Sequence, residues 1–164
     1  MFEKVENSNQ IKDVANLGTA IWHEHYASIL SSDQIDYMVE MFQSESAVQK
    51  QIEEKNYTYY MMIEEEQPAG YIGFVLEEDS LFLSKLYLAK SFRGRGIATK
   101  AFEFLKEIAK ESGKSRIWLT VNRYNQDSIH VYVKKGFVKV KEQVTDIGNG
   151  YIMDDFVMEM QVGQ

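Results

Sequence analysis

Phe92-Arg93-Gly94-Arg95-Gly96-Ile97-Ala98-Thr99 is the stretch that decides the architecture. Before it, Leu81 to Leu88 reads as a strand and Ala89 to Arg95 as a loop. After it, Ile97, Ala101, Phe104, Leu105 and Ile108 recur at helical spacing, and Gly113 stands where a C-terminal helix cap belongs. The stretch therefore leaves a strand and opens a helix. Amides at a helix start lack intrahelical acceptors, and the macrodipole places partial positive charge there. Glycines at 94 and 96 let oxygens approach the backbone closely, while Arg93 and Arg95 add formal charge. Such a corner is built to cradle an anion, and a pyrophosphate suits it.

Spacing chooses among phosphate motifs. A P-loop needs a Gly-Lys-Ser/Thr ending, which is absent. A dinucleotide fingerprint needs a small residue three positions after Gly96, and the branched Thr99 fits poorly. It also belongs on a first strand, whereas this loop follows a meander.

Working outward, a short strand is expected at Phe2 to Val5, then a helix capped by Ser8 or Asn9 with Ile11, Val14, Ala15, Ile21, Trp22 and His25 in phase. Ser31, Ser32 and Asp33 end it and offer caps for a second helix carrying Ile35, Met38, Val39 and Phe42; a third covers Ser46 to Glu54. From Tyr57 the texture is β: Tyr57 to Ile63, a turn over Glu65 to Ala69, Gly70 to Leu76, an acidic turn at Glu77 to Ser80, then the strand before the loop. Downstream come a strand at Arg116 to Val121, a helix over Asn125 to Lys135 ended by Gly136, and strands at Phe137 to Val144 and Tyr151 to Met160 around a turn at Asp146 to Gly150. This order describes a mixed α/β sheet with one parallel crossover.

Composition bounds the rest. With 164 residues, 45% apolar and 13% aromatic, the chain can bury a core of its own and is not disordered. No apolar run reaches the ~20 residues of a membrane span and no signal pattern opens the chain, so a cytoplasmic protein without membrane contact is expected. The absence of cysteine excludes an acyl-cysteine intermediate and thiolate zinc sites. Residues 1–80 hold 16 acidic against 4 basic residues, and residues 81–164 hold 9 against 14. A cationic ligand toward the first half and an anionic one toward the second fit that asymmetry, and nucleic acid does not. His23 and His25 stand two apart on a helix and face apart, so no metal site is expected.

Arg93-x-x-Gly96-x-Ala98 resembles the Arg/Gln-x-x-Gly-x-Gly/Ala signature of the GNAT family of N-acetyltransferases. Leu119-x-Val121, Asn125, Ser128, Tyr132 and Gly136-Phe137 resemble that family's second signature, with serine in place of alanine at 128. The likeness spans about Tyr57 to Met160. It implies a single domain over 1–164, with acceptor-side helices in 1–55 and a cofactor-binding sheet in 56–160. The implied fold is α/β (α+β): a mixed, mostly antiparallel central sheet of six to seven strands with a splayed parallel pair and helices on both faces. The implied cosubstrate is acetyl-CoA, with no metal.

The resemblance also assigns roles. Leu86, Tyr87 and Leu88 would pair with the pantetheine arm, and Arg93, Gly94, Arg95, Gly96, Ile97, Ala98 and Thr99 would hold the pyrophosphate. Asn125, Ser128 and Tyr132 would complete the cofactor site. Tyr132 matches the family's frequent proton donor to the departing thiolate, a phenol of pKa about 10 staying protonated beside a thiol of about 8.5. The Leu88 amide is the candidate oxyanion donor. Many members place a glutamate base on the strand before the loop; Ser84 and Lys85 stand there instead. Glu77, Glu78, Asp79, Asp154 and Asp155 are the carboxylates left to take a proton, and the sequence does not choose among them.

Trp22, His25, Tyr26, Tyr37 and Asp154 are the candidate acceptor-binding residues, with Met38 beside them; aromatic faces and carboxylates suit an alkylammonium. The stretch Asp146 to Phe156 resembles bacterial polyamine and diamine acetyltransferases. A small-molecule amine is therefore the first expectation. A protein N-terminal or lysine acetyltransferase and a non-catalytic acetyl-CoA-binding regulator are the alternatives, and a homodimer stays open.

Overall fold

The computed structural model describes residues 1–162. In chain order the elements are β1 (Phe2–Lys4), α1 (Ser8–Tyr26), α2 (Ser32–Gln43), α3 (Glu45–Glu54), β2 (Tyr57–Glu64), β3 (Gln67–Leu76) and β4 (Ser80–Leu88). A 3₁₀ turn (Lys90–Phe92), α4 (Ile97–Glu111), β5 (Arg116–Asn122), α5 (Gln126–Lys135), β6 (Val138–Gly148) and β7 (Tyr151–Gln161) follow. The seven strands form one sheet in the order β1-β2-β3-β4-β5-β7-β6. β4 and β5 are the parallel pair in a mostly antiparallel sheet, as expected. No helix among the described residues is long and apolar enough to cross a membrane.

The described chain divides into two compact units, one of residues 1–75 with 84–99, the other of residues 76–83 with 100–162. In the first, α1 starts from Asn7 rather than Ser8 or Asn9. Asn7 Oδ1 accepts the Gln10 amide at 2.9 Å and Gln10 Oε1 accepts the Asn7 amide at 3.0 Å, a reciprocal capping box. The helix stops at Tyr26, short of Ser31, and the Tyr26 carbonyl accepts the Ile29 and Leu30 amides in the turn that follows. Ser31 and Ser44 cap α2 and α3, which moves the start of α3 up to Glu45.

The β2–β3 turn is tighter than expected: Glu65 and Glu66 make it alone at φ 54° and 63°. β3 therefore begins at Gln67, and Pro68 is tolerated opposite Ile63, where the register shifts. Gly70 cannot be replaced freely, since a Cβ there would stand 2.2 Å from the Tyr87 carbonyl oxygen. Val14, Ile21 and Trp22 of α1, Ile35 and Met38 of α2, Val48 of α3 and Tyr59, Tyr71, Ile72 and Phe74 of the strands form the core of this unit. Each buried large side chain contributes ~1.5–3 kcal/mol.

In the second unit, the parallel register of β4 and β5 runs over three pairs, Ser80 to Phe82 with Arg116 to Trp118. Phe82 stacks on Trp118 with ring centroids 4.2 Å apart. Ala101, Phe102, Leu105 and Ala109 of α4, Ile117, Leu119 and Val121 of β5, Phe137, and Met158 and Met160 of β7 are buried. The last hairpin is longer than expected. Asn149 (φ 55°) and Gly150 (φ 80°) suffice for the turn, so Asp146 to Gly148 stay in β6. Phe137 precedes β6 rather than opening it, buried behind the left-handed cap Gly136 (φ 105°).

Candidate active site

The loop between β4 and α4 is held from behind. Phe92 is buried, and the Arg93 guanidinium grips the Glu24 carboxylate with Nη2 at 2.5 Å and Nη1 at 3.1 Å, while Nε donates to the Leu88 carbonyl at 3.1 Å. The bonds from Arg93 hold the Glu24 carboxyl below its ordinary range against the opposing effect of burial. Arg95 donates to Glu65 at 3.0 Å and lies 5.1 Å from the Phe92 ring centroid. Alternating with the arginines, Gly94 and Gly96 sit at φ 77° and 79°, and a Cβ on either would meet nothing within 4 Å. Ile97 is buried, Ala98 half-buried and Thr99 exposed, and no acidic residue stands in the first turn of α4. The opening there is a helix start with free space beside two left-handed glycines.

Behind the loop, Trp22 and Tyr26 are buried rather than presented to solvent. The Trp22 indole donates to the Tyr71 hydroxyl at 2.8 Å, and the Tyr26 and Tyr87 hydroxyls lie 3.1 Å apart. His25 is half-buried, edge-on to Tyr26 and Tyr87 at 4.8 and 5.6 Å, and burial lowers its pKa. Tyr37 is half-buried and Met38 fully buried on α2. Leu86, Tyr87 and Leu88 are all half-buried on β4.

Lys85 is the residue whose place the sequence did not reveal. It is 5% exposed, and Nζ donates to the Phe42 carbonyl at 2.6 Å, to Gln51 Oε1 at 3.0 Å and to the Tyr59 hydroxyl at 2.6 Å. Burial lowers its pKa to about 7. Its neighbour Ser84 shares a hydrogen bond with the Tyr57 hydroxyl at 2.9 Å.

In the second unit, Asn125 caps α5: its Oδ1 accepts the Ser128 amide at 3.2 Å. Ser128 is half-buried. Tyr132 is half-buried too, edge-on to Phe102 and Phe137 at centroid distances of 6.0 and 5.8 Å. Asp154 takes the Arg123 Nε–H at 2.7 Å, and Arg123 also bonds Glu142. Glu77 accepts from Ser80 Oγ and the Trp118 indole, both at 2.8 Å, and Asp79 lies 3.5 Å from Arg116. Glu78 is exposed. Asp155 differs from these four: it is 7% exposed, and its Oδ1 has no hydrogen-bond partner among the described residues. Burial and the neighbouring Asp154 raise its pKa to about 6.

The sequence profile of the acetyltransferase (GNAT) family matches residues 20–137. An uncharacterized N-acetyltransferase from the pepI 3′ region of Lactobacillus delbrueckii subsp. lactis is 28% identical over 99 residues, 56% of this chain and 57% of that protein. The chain thus matches less than two thirds of that relative's length. Among solved structures, the PaiA N-acetyltransferase of Thermoplasma acidophilum in complex with coenzyme A superposes with a TM-score of 0.79 at 20% identity, covering 98% of this chain and 99% of that one. A spermidine N-acetyltransferase SpeG chimera from Vibrio cholerae and hSSAT gives 0.68 at 18% identity, covering 98% and 95%. The two likenesses establish the fold. With the profile covering most of its length, and with the loop and strand order described above, the chain belongs to the GNAT family of acetyltransferases.

Proposed function

We propose that this protein is an acetyl-CoA-dependent N-acetyltransferase that transfers the acetyl group directly to an amine, a small molecule such as a polyamine. The observation that carries the proposal is the start of α4: two glycines in the left-handed region with open space beside them, two arginines alternating with them, and no acidic residue in the first turn. A pyrophosphate fits this cradle. The Arg93 side chain is committed to Glu24 and Leu88, so the backbone amides of residues 94–99 are the proposed phosphate ligands, with Arg95 as the exposed cation.

Leu86, Tyr87 and Leu88 are proposed to hold the pantetheine arm; only the first three residues of β4 pair with β5, which leaves them outside that parallel register. Asn125, Ser128 and Tyr132 are the further cofactor residues, Tyr132 holding the proton that the departing thiolate needs. Bound acetyl-CoA supplies an activated acetyl thioester. The acidic balance of residues 1–80 supports a cationic acceptor, and the fold shared with a spermidine acetyltransferase agrees with it.

Calorimetric titration with acetyl-CoA, followed by thiol release over polyamines, amino acids and peptides, tests the proposal. Gly96→Asp places a carboxylate in the cradle and is expected to weaken acetyl-CoA binding at least ~100-fold, a figure on the scale of a lost anion site. A thermal melt separates this from unfolding. Unchanged affinity in a folded variant would show that the loop does not hold the cofactor, and turnover on peptides alone would overturn the small-molecule assignment.

A further inference from the structure

Of the five carboxylates that flank the reaction in sequence, the structure leaves one without an internal use. Glu77, Asp79 and Asp154 each have a donor or cation within 3.5 Å, and Glu78 is in water. Asp155 is buried on β7 with an oxygen that nothing satisfies. Buried polar groups are almost always hydrogen-bonded, and an unsatisfied carboxyl is costly to maintain. A guanidinium stands close by in sequence and register, since Asp155 pairs with Asn122, the residue before Arg123. Arg123 nevertheless bonds Asp154 and Glu142. Asp154 and the Phe156 ring, over which Arg123 lies, face away from Asp155 on the strand, so this guanidinium leaves Asp155 available.

Its position gives that availability a use. Asn122 is the last residue of β5, and the chain runs from it through Arg123 and Tyr124 into Asn125, the cap of the helix that carries Tyr132. Asn122 is itself occupied, its Oδ1 taking the Tyr124 amide at 2.9 Å and its carbonyl the Asn125 amide at 2.9 Å. On the β6 side the register partner is Gln143, which carries no charge. By sequence and register the ionisable residues nearest Asp155 are Asp154 beside it, Arg123 after β5, and Lys141 and Glu142 on β6; of these Asp154 raises its pKa, and Arg123 and Glu142 bond each other.

We propose that Asp155 is the proton acceptor of the acyl transfer. This rests on the function proposed above. An ammonium N–H bond breaks and its proton passes to the Asp155 carboxylate. The freed nitrogen lone pair then forms the C–N bond to the acyl carbon. The C–S bond breaks with its electron pair going to sulfur, which takes the Tyr132 hydroxyl proton to leave as the thiol, while the nitrogen releases its second N–H proton as the amide forms and so restores that hydroxyl. A carboxyl poised near pH 6 is ionised at neutral pH and basic enough to share the ammonium proton.

The test compares wild type with Asp155→Asn on whichever amine the wild type turns over. Expected are a fall in kcat/KM of about 100-fold or more, loss of the acidic limb of the kcat/KM profile near pH 6, and an acetyl-CoA affinity within about threefold of wild type. The melting temperature at pH 7.5 should stay level or rise, because the substitution removes a buried, unpaired charge. Should Asp155→Asn fail to fold, Asp155→Ser assayed with added formate replaces it, turnover recovering as formate rises. Full turnover with the acidic limb intact, or no rescue in a folded serine variant, overturns the proposal alone. Failure of the wild type to bind acetyl-CoA overturns the function proposed above and this inference with it.

Discussion

Lys85 makes folding stability depend on pH in a way that can be calculated beforehand. The folded amine loses its proton near pH 7, whereas the unfolded chain keeps it until about 10.5. Between those values the unfolded chain binds more protons, so stability climbs with pH; below pH 7 both states are charged and this contribution goes flat. Each pH unit inside the window is worth about 1.4 kcal/mol. With the group half-titrated at pH 7, the gain from pH 7 to pH 9 is about 2 kcal/mol. The Tyr59 hydroxyl permits both states, accepting from the ammonium or donating to the amine.

Lys85→Met should abolish the climb. Its partners are not orphaned by the change: the Phe42 carbonyl still accepts from Gln51 Nε2 at 3.0 Å, and Gln51 Oε1 from the Tyr59 hydroxyl at 2.6 Å. Urea denaturation of both proteins at pH 6, 7, 8 and 9 reads the effect as a difference. His23, whose pKa is raised chiefly by its bond to Asp36, contributes stability that is lost as pH rises through its folded pKa. That term is common to both proteins and cancels. The wild type minus variant difference should grow by about 2 kcal/mol from pH 7 to pH 9. Parallel profiles would refute a neutralising buried lysine.

Tyr132→Phe keeps the ring against Phe102 and Phe137 and removes only the hydroxyl. Turnover should fall about 10- to 100-fold with the acetyl-CoA Kd and the melting temperature little changed; unaltered kcat would remove Tyr132 from the proton-donor role. Gly70→Ala should cost about 2 kcal/mol or more, because a backbone oxygen at 2.2 Å cannot yield as a flexible side chain would. An unchanged urea midpoint would contradict that close approach.

What the sequence showed plainly was what single residues require of their own backbone. Gly113 and Gly136 were read as the residues that end helices, and both take the left-handed conformation such a stop uses. Asn149 and Gly150 lay inside the expected turn, but the five-residue window was too generous because Asn-Gly turns a hairpin alone. The α1 cap was displaced because Asn7, Ser8 and Asn9 all qualify by type; only Gln10, three residues after Asn7, distinguishes them. Ser84 and Lys85 were noticed together where many family members carry a glutamate, although Leu81, Leu83, Lys85 and Tyr87 alternate onto one row of the strand, which is a signal of burial for Lys85. Its partners at Phe42, Gln51 and Tyr59 come from distant segments that no local pattern connects. The unsatisfied oxygen of Asp155 depends likewise on what packs around it.

Lys85 and Asp155 are both buried without an opposite charge, yet they call for different explanations. Lys85 has three acceptors, so the fold meets its needs and a structural post accounts for it. For Asp155 the fold supplies nothing at Oδ1. Gln43 raises the natural objection, since its amide is also buried without partners. That amide is wholly sealed, its stem packed so tightly on α1 that a Cβ at Gly18 would stand 2.5 Å from Cγ, and packing explains its place. Asp155 is 7% exposed against 0% for Gln43, and unlike an amide it can carry charge. Oδ1 of Asp155 has no donor inside the chain, and a cationic amine is the partner whose chemistry would supply one.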